Sequence, residues 1–160
     1  MSTKITVPIT REIHNATEQI QHQMEIRSFR AANELRNAAL LVLRGQRSGR
    51  RYKVPGTYRR QRDKVDGKMK RGRYYTASAP GEPPAVRTGT FRNSWQPHVY
   101  KENGAIISRI ENDVRTDNGQ HLLGEVLEKG SGRMKPRPYQ DRILEKAEPR
   151  VRKVYSEPYF

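Results

Sequence analysis

Residues 77–95 of this chain read ASAPGEPPAVRTGTFRNSW, and the other segments are arranged around them. Pro80, Pro83 and Pro84 have no amide donor and a fixed φ, so this stretch is neither a helix nor a central strand. Gly81 allows one sharp bend in an otherwise extended segment. We therefore predict a rigid connector over residues 77–87, which either positions the segments on its two sides or is an ordinary ordered loop.

Most of the positive charge lies in the segment that precedes the connector. The 160-residue chain carries a formal charge of +15, and residues 44–73 hold 13 lysines and arginines against two aspartates. This local field favours a polyanion or an acidic protein surface as the partner, and a solvated arm is the alternative. Arginine outnumbers lysine, which favours protein contact because guanidinium pairs bidentately with carboxylates. The candidate contact residues are Arg47, Arg50, Arg51, Arg59, Arg60, Arg62, Lys68, Lys70, Arg71 and Arg73.

A long amphipathic helix is predicted before this basic arm, which we define as residues 45–76. Thr10 is the predicted N-cap and Gly45 the stop, with no glycine or proline between them. The first half, to Gln23, is mostly polar, so it either frays or lies against another subunit. Apolar or small residues recur every three or four positions, with one gap at Ser28, at Ile13, Ala16, Ile20, Met24, Ala31, Leu35, Ala38 and Val42.

The half that follows the connector contains a hairpin signal and three short helical patterns. Asn103-Gly104 predicts a tight turn between strands at His98–Lys101 and Ala105–Glu111. A further strand is predicted near Asp113–Thr116. The predicted helices cover Thr88–Trp95, ended by Pro97; Leu122–Leu127; and a last segment with Pro138 at its first position and Pro149 as its end or kink.

These elements predict an α+β fold: a long N-terminal helix, a small antiparallel sheet, short C-terminal helices and a long basic arm, which we expect to be a loose hairpin. We expect an N-terminal tail over 1–9 and a single domain over 10–160. Only 33 % of the residues are hydrophobic, so the core must be small. Its predicted members are Leu35, Leu41, Phe91, Trp95, Ile107, Ile110, Leu123, Leu127, Ile143 and Leu144.

No pattern in the sequence predicts catalysis, a metal or another cofactor. The chain has no cysteine, and its four histidines are dispersed, with His14 and His22 too far apart on a helix to share a metal. Asp66-Gly67-Lys68 resembles a nuclease fragment but has no strand to fix it. Ser78, Ser94 and Ser131 have no evident base. No apolar run is long enough to span a membrane and no signal peptide is evident, so we expect a soluble protein made in a cytoplasm.

Two motifs in this order resemble a family of phage virion proteins, the tail-completion or head–tail joining (neck) proteins of long-tailed phages, similar to minor tail protein Z. The first motif is SAPGEPPA followed by TG, an aromatic residue and NS, at residues 78–94. The second is LEKGSGRMKPRPY at residues 127–139. The resemblance covers roughly residues 45–147, and Phe91, Lys129 and Tyr139 depart from the usual residues.

The resemblance implies a structural protein of the virion neck, assembled in the host cytoplasm, that forms a homo-oligomeric ring, six copies by analogy with a sixfold tail. It implies contacts with a tail terminator or tail tube protein, with head-completion or connector proteins, and non-specifically with the passing DNA, and no membrane. The alternative is a non-specific nucleic-acid-binding protein, such as an RNA or DNA chaperone. Because a closed ring uses a heterologous interface, the two motifs are expected to meet head to tail between subunits. The candidate interface residues are Pro80, Gly81, Glu82, Pro83, Pro84, Glu128, Gly130, Met134, Arg137 and Pro138.

Overall fold

The computed structural model describes residues 9–54, 61–62, 67, 69–70, 72–132 and 134–159. The fold is α+β, as predicted. The elements in chain order are α1 (Ile9–Arg44), β1 (Arg51–Lys53), β2 (Gln61–Arg62), β3 (Met69–Lys70), β4 (Tyr74–Thr76), α2 (Thr90–Asn93), β5 (Gln96–Glu102), β6 (Ala105–Glu111), α3 (Leu123–Lys129) and α4 (Gln140–Ser156). Among these helices none has both the length and the apolar character that crossing a membrane requires.

Helix α1 is the longest element, because no glycine or proline interrupts its 36 residues. It includes Thr10, the residue predicted as its N-cap, and ends at Arg44, where Gly45 was the predicted stop. The Arg47 guanidinium donates to the Val42 carbonyl at 2.9 Å and so satisfies one of the free carbonyls of the last turn.

Strands β5 and β6 form an antiparallel hairpin with pairs from Gln96↔Glu111 to Glu102↔Ala105. Asn103 and Gly104 both have positive φ (48° and 78°), as the predicted tight turn requires. Pro97 was predicted to end the preceding helix; instead α2 ends at Asn93 and Pro97 lies inside β5. A two-stranded sheet tolerates proline because each strand has one edge without a partner.

The predicted strand near Asp113–Thr116 is wrong, since this segment contributes only the single bridge Arg115↔Leu122. The arm, in contrast, begins and ends as an antiparallel ribbon, with β1 paired to β4 and β2 paired to β3. The Gly49 amide donates to the Ala77 carbonyl at 2.9 Å, directly before the ribbon. The predicted hairpin is thus confirmed at the root of the arm.

The core lies where α1 crosses α4 and α2. Its buried members are Ala38, Ala39, Leu43, Trp95, Tyr139, Ile143 and Ala147. The rings of Phe91, Trp95 and Tyr139 pack edge to face with centroids 5.7–6.1 Å apart. Of the predicted core, Trp95 and Ile143 are buried and six others are half-buried: Leu35, Phe91, Ile107, Ile110, Leu123 and Leu127.

Two core predictions are wrong, because Leu41 and Leu144 are 41 % and 58 % exposed. On α1 the small residues Ala38 and Ala39, together with Leu43, form the buried face, which leaves Leu41 on the other side. On α4 the buried residues are Ile143, Ala147 and Val154. Leu144 follows the buried Ile143 and is turned about 100° away from it, whereas Leu41 is two positions from both Ala39 and Leu43 and so lies on nearly the opposite side of α1.

The two prolines of the last helical pattern can be compared with their predicted positions. Tyr139 is the N-cap of α4, so Pro138 precedes the helix and is not at its first position. Pro149 was predicted to end or kink this helix; it lies within α4 and does not end it, because the helix continues to Ser156, and the kink stays a prediction. Proline inside a helix costs about 3 kcal/mol. The apolar face of α4 that packs on α1 offsets this cost.

Candidate functional site

The connector and the loop of residues 130–139 lie against each other within one chain. The Arg137 guanidinium donates to the backbone carbonyl and the hydroxyl of Ser78, and to the Ala79 carbonyl at 3.3 Å. The Gly81 amide donates to the Pro136 carbonyl at 3.2 Å. The structure therefore joins two motifs whose contacting residues are up to 59 positions apart in the sequence.

Glu82 ties the connector to the beginning of the arm. Its carboxylate accepts hydrogen bonds from the Ser48 hydroxyl, from the Ser48 amide at 3.1 Å and from the Ala79 amide at 2.9 Å. These bonds, the Ser48 hydroxyl first, lower the pKa of Glu82 from 4.5 to about 2, and the nearby Arg47 charge adds to them. Glu82 is therefore a fixed anion that holds two backbone segments together.

Arg47 was predicted as a polyanion contact, but the structure uses it between helix and connector. Its guanidinium donates to the Val42 carbonyl at the end of α1 and to the Pro84 carbonyl at 3.0 and 3.2 Å. Partial burial lowers its pKa, and the charge of Arg142 acts in the same direction. Arg142 in turn donates to the Gly81 carbonyl at 3.0 Å. Arg47 thus fixes the connector to α1.

The Glu128 carboxylate binds backbone amides at the start of α4. Its carboxylate accepts from the Tyr139 amide at 3.0 Å and from the Gln140 amide at 3.4 Å, where the helix dipole favours an anion. The Tyr139 hydroxyl donates to the Gly124 carbonyl at 3.1 Å, and burial raises the pKa of Tyr139 to about 12. Glu128 and Tyr139 therefore lock α3 to α4.

An open cleft of about 520 Å³ lies beside the connector. Its walls are largely apolar, and they include Leu43, Pro84, Val86, Phe91, Leu123 and Leu127. Four arginines (Arg87, Arg92, Arg115 and Arg137) also line it, together with Asp117. Within the described part of the chain, none of these arginines forms an ion pair with a carboxylate.

The root of the arm presents cations and tyrosine rings to solvent. Arg51, Lys53 and Tyr74 are exposed on the β1–β4 ribbon, and the Arg51 guanidinium lies 4.9 Å from the centre of the Tyr74 ring. On the other face Tyr52 stacks at 6.1 Å on Tyr75, its partner across the ribbon. The root of the arm therefore presents both positive charge and aromatic rings at the surface.

The predicted site residues fall into three groups. Arg47, Glu82, Glu128 and Arg137 are engaged inside the chain, and Pro83 and Pro84 are buried. Pro80 and Gly81 are exposed, whereas Gly130, Met134 and Pro138 are half-buried. Arg50, Arg51 and Arg73 are exposed on the arm. Arg59, Arg60, Lys68 and Arg71 lie outside the described residues, and so do the side chains of Arg62 and Lys70.

The two motifs were expected to meet head to tail between subunits, and that contact stays a prediction. Within one chain the structure pairs them through Arg137 and Gly81. Contacts with a neighbour must then use the sides of the motifs that remain exposed. Sequence reasoning also missed Ser48 and Ser78, whose partners are 34 and 59 residues away and leave no local signal.

Within the described residues, no three histidine, aspartate or glutamate side chains come close enough to hold a metal ion. Comparisons of the chain with protein-family models, with curated proteins and with solved structures found no match.

Proposed function

We propose that this chain is a structural protein of a phage neck, which forms a ring that completes the end of the tail and joins it to the DNA-filled head. The observation that carries the proposal is the hydrogen-bonded contact between the two motifs that resemble the neck family. Arg137, from the second motif, holds Ser78 and Ala79, from the first. The residues that carry the resemblance thus form one structural unit.

The geometry of this unit suits an adaptor. Arg47, Glu82 and Arg137 fix the connector to α1, to the arm and to the loop before α4, so that the three segments keep their relative directions. The arm then leaves the body as a two-stranded ribbon. A protein of this shape contributes surfaces rather than a reaction, and we propose no enzymatic activity. We place it in the neck of the virion, in contact with tail and head-completion proteins.

The proposal is tested in tailed particles released by cells that carry the gene. The chain should co-purify with intact particles and should label the junction of head and tail in electron micrographs. A stop codon in the gene should yield separate DNA-filled heads and tails, and a plasmid copy should restore joined particles. Normal infectious particles that lack the chain would overturn the proposal.

A second candidate function, non-specific binding of nucleic acid, is favoured by the root of the arm. There Arg50, Arg51 and Lys53 stand in solvent beside Tyr52 and Tyr74, and none of the three cations has an ion-pair partner among the described residues. Tyrosine rings stack on unpaired bases, and the cations neutralise phosphates whatever the base sequence. Tight binding to RNA by a chain that is absent from any particle would favour this function.

A further inference from the structure

The hydrophobic core is open on the side of the cleft beside the connector. Leu43 belongs to the buried core and also lines the cleft. Phe91 lines the cleft too, and its ring packs edge to face on Trp95 and Tyr139 in the core. The floor of the cleft is therefore continuous with the core, and an apolar group that enters the cleft contacts core side chains.

The apolar walls of the cleft come from separate segments of the chain. Val86 belongs to the connector, Val114 to the loop after β6, and Leu123 and Leu127 to α3. All four side chains are half-buried, and so is Met134 from the loop before α4. Half-buried apolar side chains that share one concave surface gain stability when a further apolar group removes them from water.

The rim of the cleft carries positive charge that the described part of the chain does not neutralise. Arg87 is exposed and has no hydrogen-bond or ion-pair partner among the described residues. Arg115 and Arg92 donate there only to uncharged oxygen atoms, at 3.3 and 3.2 Å. Among the described residues that line the cleft, Asp117 is the one carboxylate. The arginines are therefore available to the carboxylates of a ligand.

The walls and the rim together define the chemistry of the ligand. A small anion satisfies the arginines but leaves the apolar walls in water, and an uncharged apolar group leaves the guanidinium groups without partners. A peptide segment that brings both carboxylates and large apolar side chains satisfies both parts of the cleft. The volume of about 520 Å³ lies in the usual range for a cleft that takes up side chains of a ligand.

We infer that the cleft binds a segment of another protein in which acidic residues flank aliphatic or aromatic side chains. The apolar side chains contact Val86 and Leu123, and the carboxylates pair with Arg87 and Arg115. The chain itself has 32 lysines and arginines against 17 acidic residues, so a segment of this composition is expected on a different protein. The inference goes beyond the proposed function and holds whether or not the chain is part of a phage particle.

A selection from short random peptides, displayed on yeast, tests the chemistry of the ligand against the full-length chain. The enriched peptides should be acidic and should contain large apolar residues. A synthetic, fluorescein-labelled copy of the most enriched peptide then gives the dissociation constant by fluorescence anisotropy. Selection of no peptide, or of acidic peptides without apolar residues, would overturn the inference.

Substitutions in the cleft test where the selected peptide binds. Arg87→Glu/Arg115→Glu reverses two charges of the rim and should weaken binding about tenfold. Val86→Asn removes an apolar contact without a change in charge and should weaken binding severalfold. The matched control is Arg51→Glu/Lys53→Glu, which makes the same reversal at the root of the arm and should leave the affinity unchanged. Unchanged circular dichroism shows that each variant is folded.

The outcomes separate this inference from attraction to net charge and from the proposed function. Equal losses of affinity on reversal at the cleft and at the arm would overturn the inference, and so would full affinity in both cleft variants. DNA binding that is lost in Arg87→Glu/Arg115→Glu, with no peptide selected, would assign the cleft to nucleic acid instead. Peptide binding in the cleft of a chain that no particle contains would uphold the inference and overturn the neck function.

Discussion

The Arg137 guanidinium donates hydrogen bonds to both the carbonyl and the hydroxyl of Ser78, although the two residues are 59 positions apart. Ser78 is only 5 % exposed, so water cannot replace a lost donor. The contact lies between the two motifs that resemble the neck family. It joins the connector to the loop before α4, and both residues line the cleft beside the connector.

Arg137→Met should therefore destabilise the fold while keeping most of the side-chain volume. Loss of the donors leaves the Ser78 carbonyl buried without its partner, which costs about 1–3 kcal/mol. The free energy of unfolding in urea measures the loss. The matched control is Lys135→Met, an exposed cation in the same loop, which should change stability little. Equal effects of the two substitutions would show that Arg137 does not join the segments.

Glu82 should make the stability of the fold depend on pH in the acid range. The hydrogen bonds from Ser48 and Ala79 lower its pKa from 4.5 to about 2, so the folded state favours the ionised form. The stability from Glu82 is therefore complete above pH 4.5 and is lost as the pH falls toward 2. The melting temperatures of the unmodified chain and of Glu82→Gln should differ at neutral pH and converge on acidification.

The control for Glu82 is Glu102→Gln, which removes an exposed carboxylate from β5. It should leave the acid-range dependence as it is in the unmodified chain. A constant difference between Glu82→Gln and the unmodified chain from neutral pH to pH 2 would contradict the assigned role of the carboxylate.

Trp95 should contribute through its ring and not through its indole N–H. The side chain is 8 % exposed, and Nε1 has no hydrogen-bond partner among the described residues. Trp95→Ala should cost about 3–5 kcal/mol, because it opens a cavity beside Phe91 and Tyr139. Trp95→Phe should cost much less, because it loses no hydrogen bond and removes a buried unpaired donor.

Tyr139→Phe provides the comparison for Trp95, since it removes one hydroxyl that does have a partner. The Tyr139 hydroxyl donates to the Gly124 carbonyl, so its loss should cost about 0.5–1.5 kcal/mol without a change in ring packing. The free energy of unfolding in urea should fall most for Trp95→Ala and less for Trp95→Phe and Tyr139→Phe. An unchanged melting temperature for Trp95→Ala would contradict the assignment of Trp95 to the hydrophobic core.

The sequence predicted those elements that depend on residues close together in the chain. Helix α1 follows from apolar spacing without glycine or proline, and the β5–β6 hairpin follows from Asn103-Gly104. Pro97 does not precede the strand as a helix stop and Pro149 does not end α4, because tertiary structure tolerates both: Pro97 lies in a strand with a free edge, and Pro149 in a helix whose face packs on α1.

The candidate site was predictable only in part. The two motifs and the basic arm are visible in the sequence, but the contacts among them are not. Arg47 is one of 13 cations in its segment, and no pattern distinguishes it from Arg51, although one binds the Pro84 carbonyl and the other faces solvent. Leu41 and Leu43 are likewise both apolar, and only the position of α4 and Trp95 decides which is buried.

The root of the arm should bind duplex DNA without sequence preference, and the binding should weaken steeply with salt. Arg51 and Lys53 are exposed on β1 and have no carboxylate partner in the described structure, so phosphates can replace their counterions. Each phosphate contact adds about 0.9 to the slope of log affinity against log salt concentration. The Arg51→Ser/Lys53→Ser double variant should therefore have a slope smaller by about 2, measured by fluorescence anisotropy at several salt concentrations. Arg152→Ser, which removes a cation paired with Glu148 on α4, is the matched control and should leave the slope unchanged. An equal slope for the double variant and the unmodified chain would mean that this ribbon does not contact the phosphates.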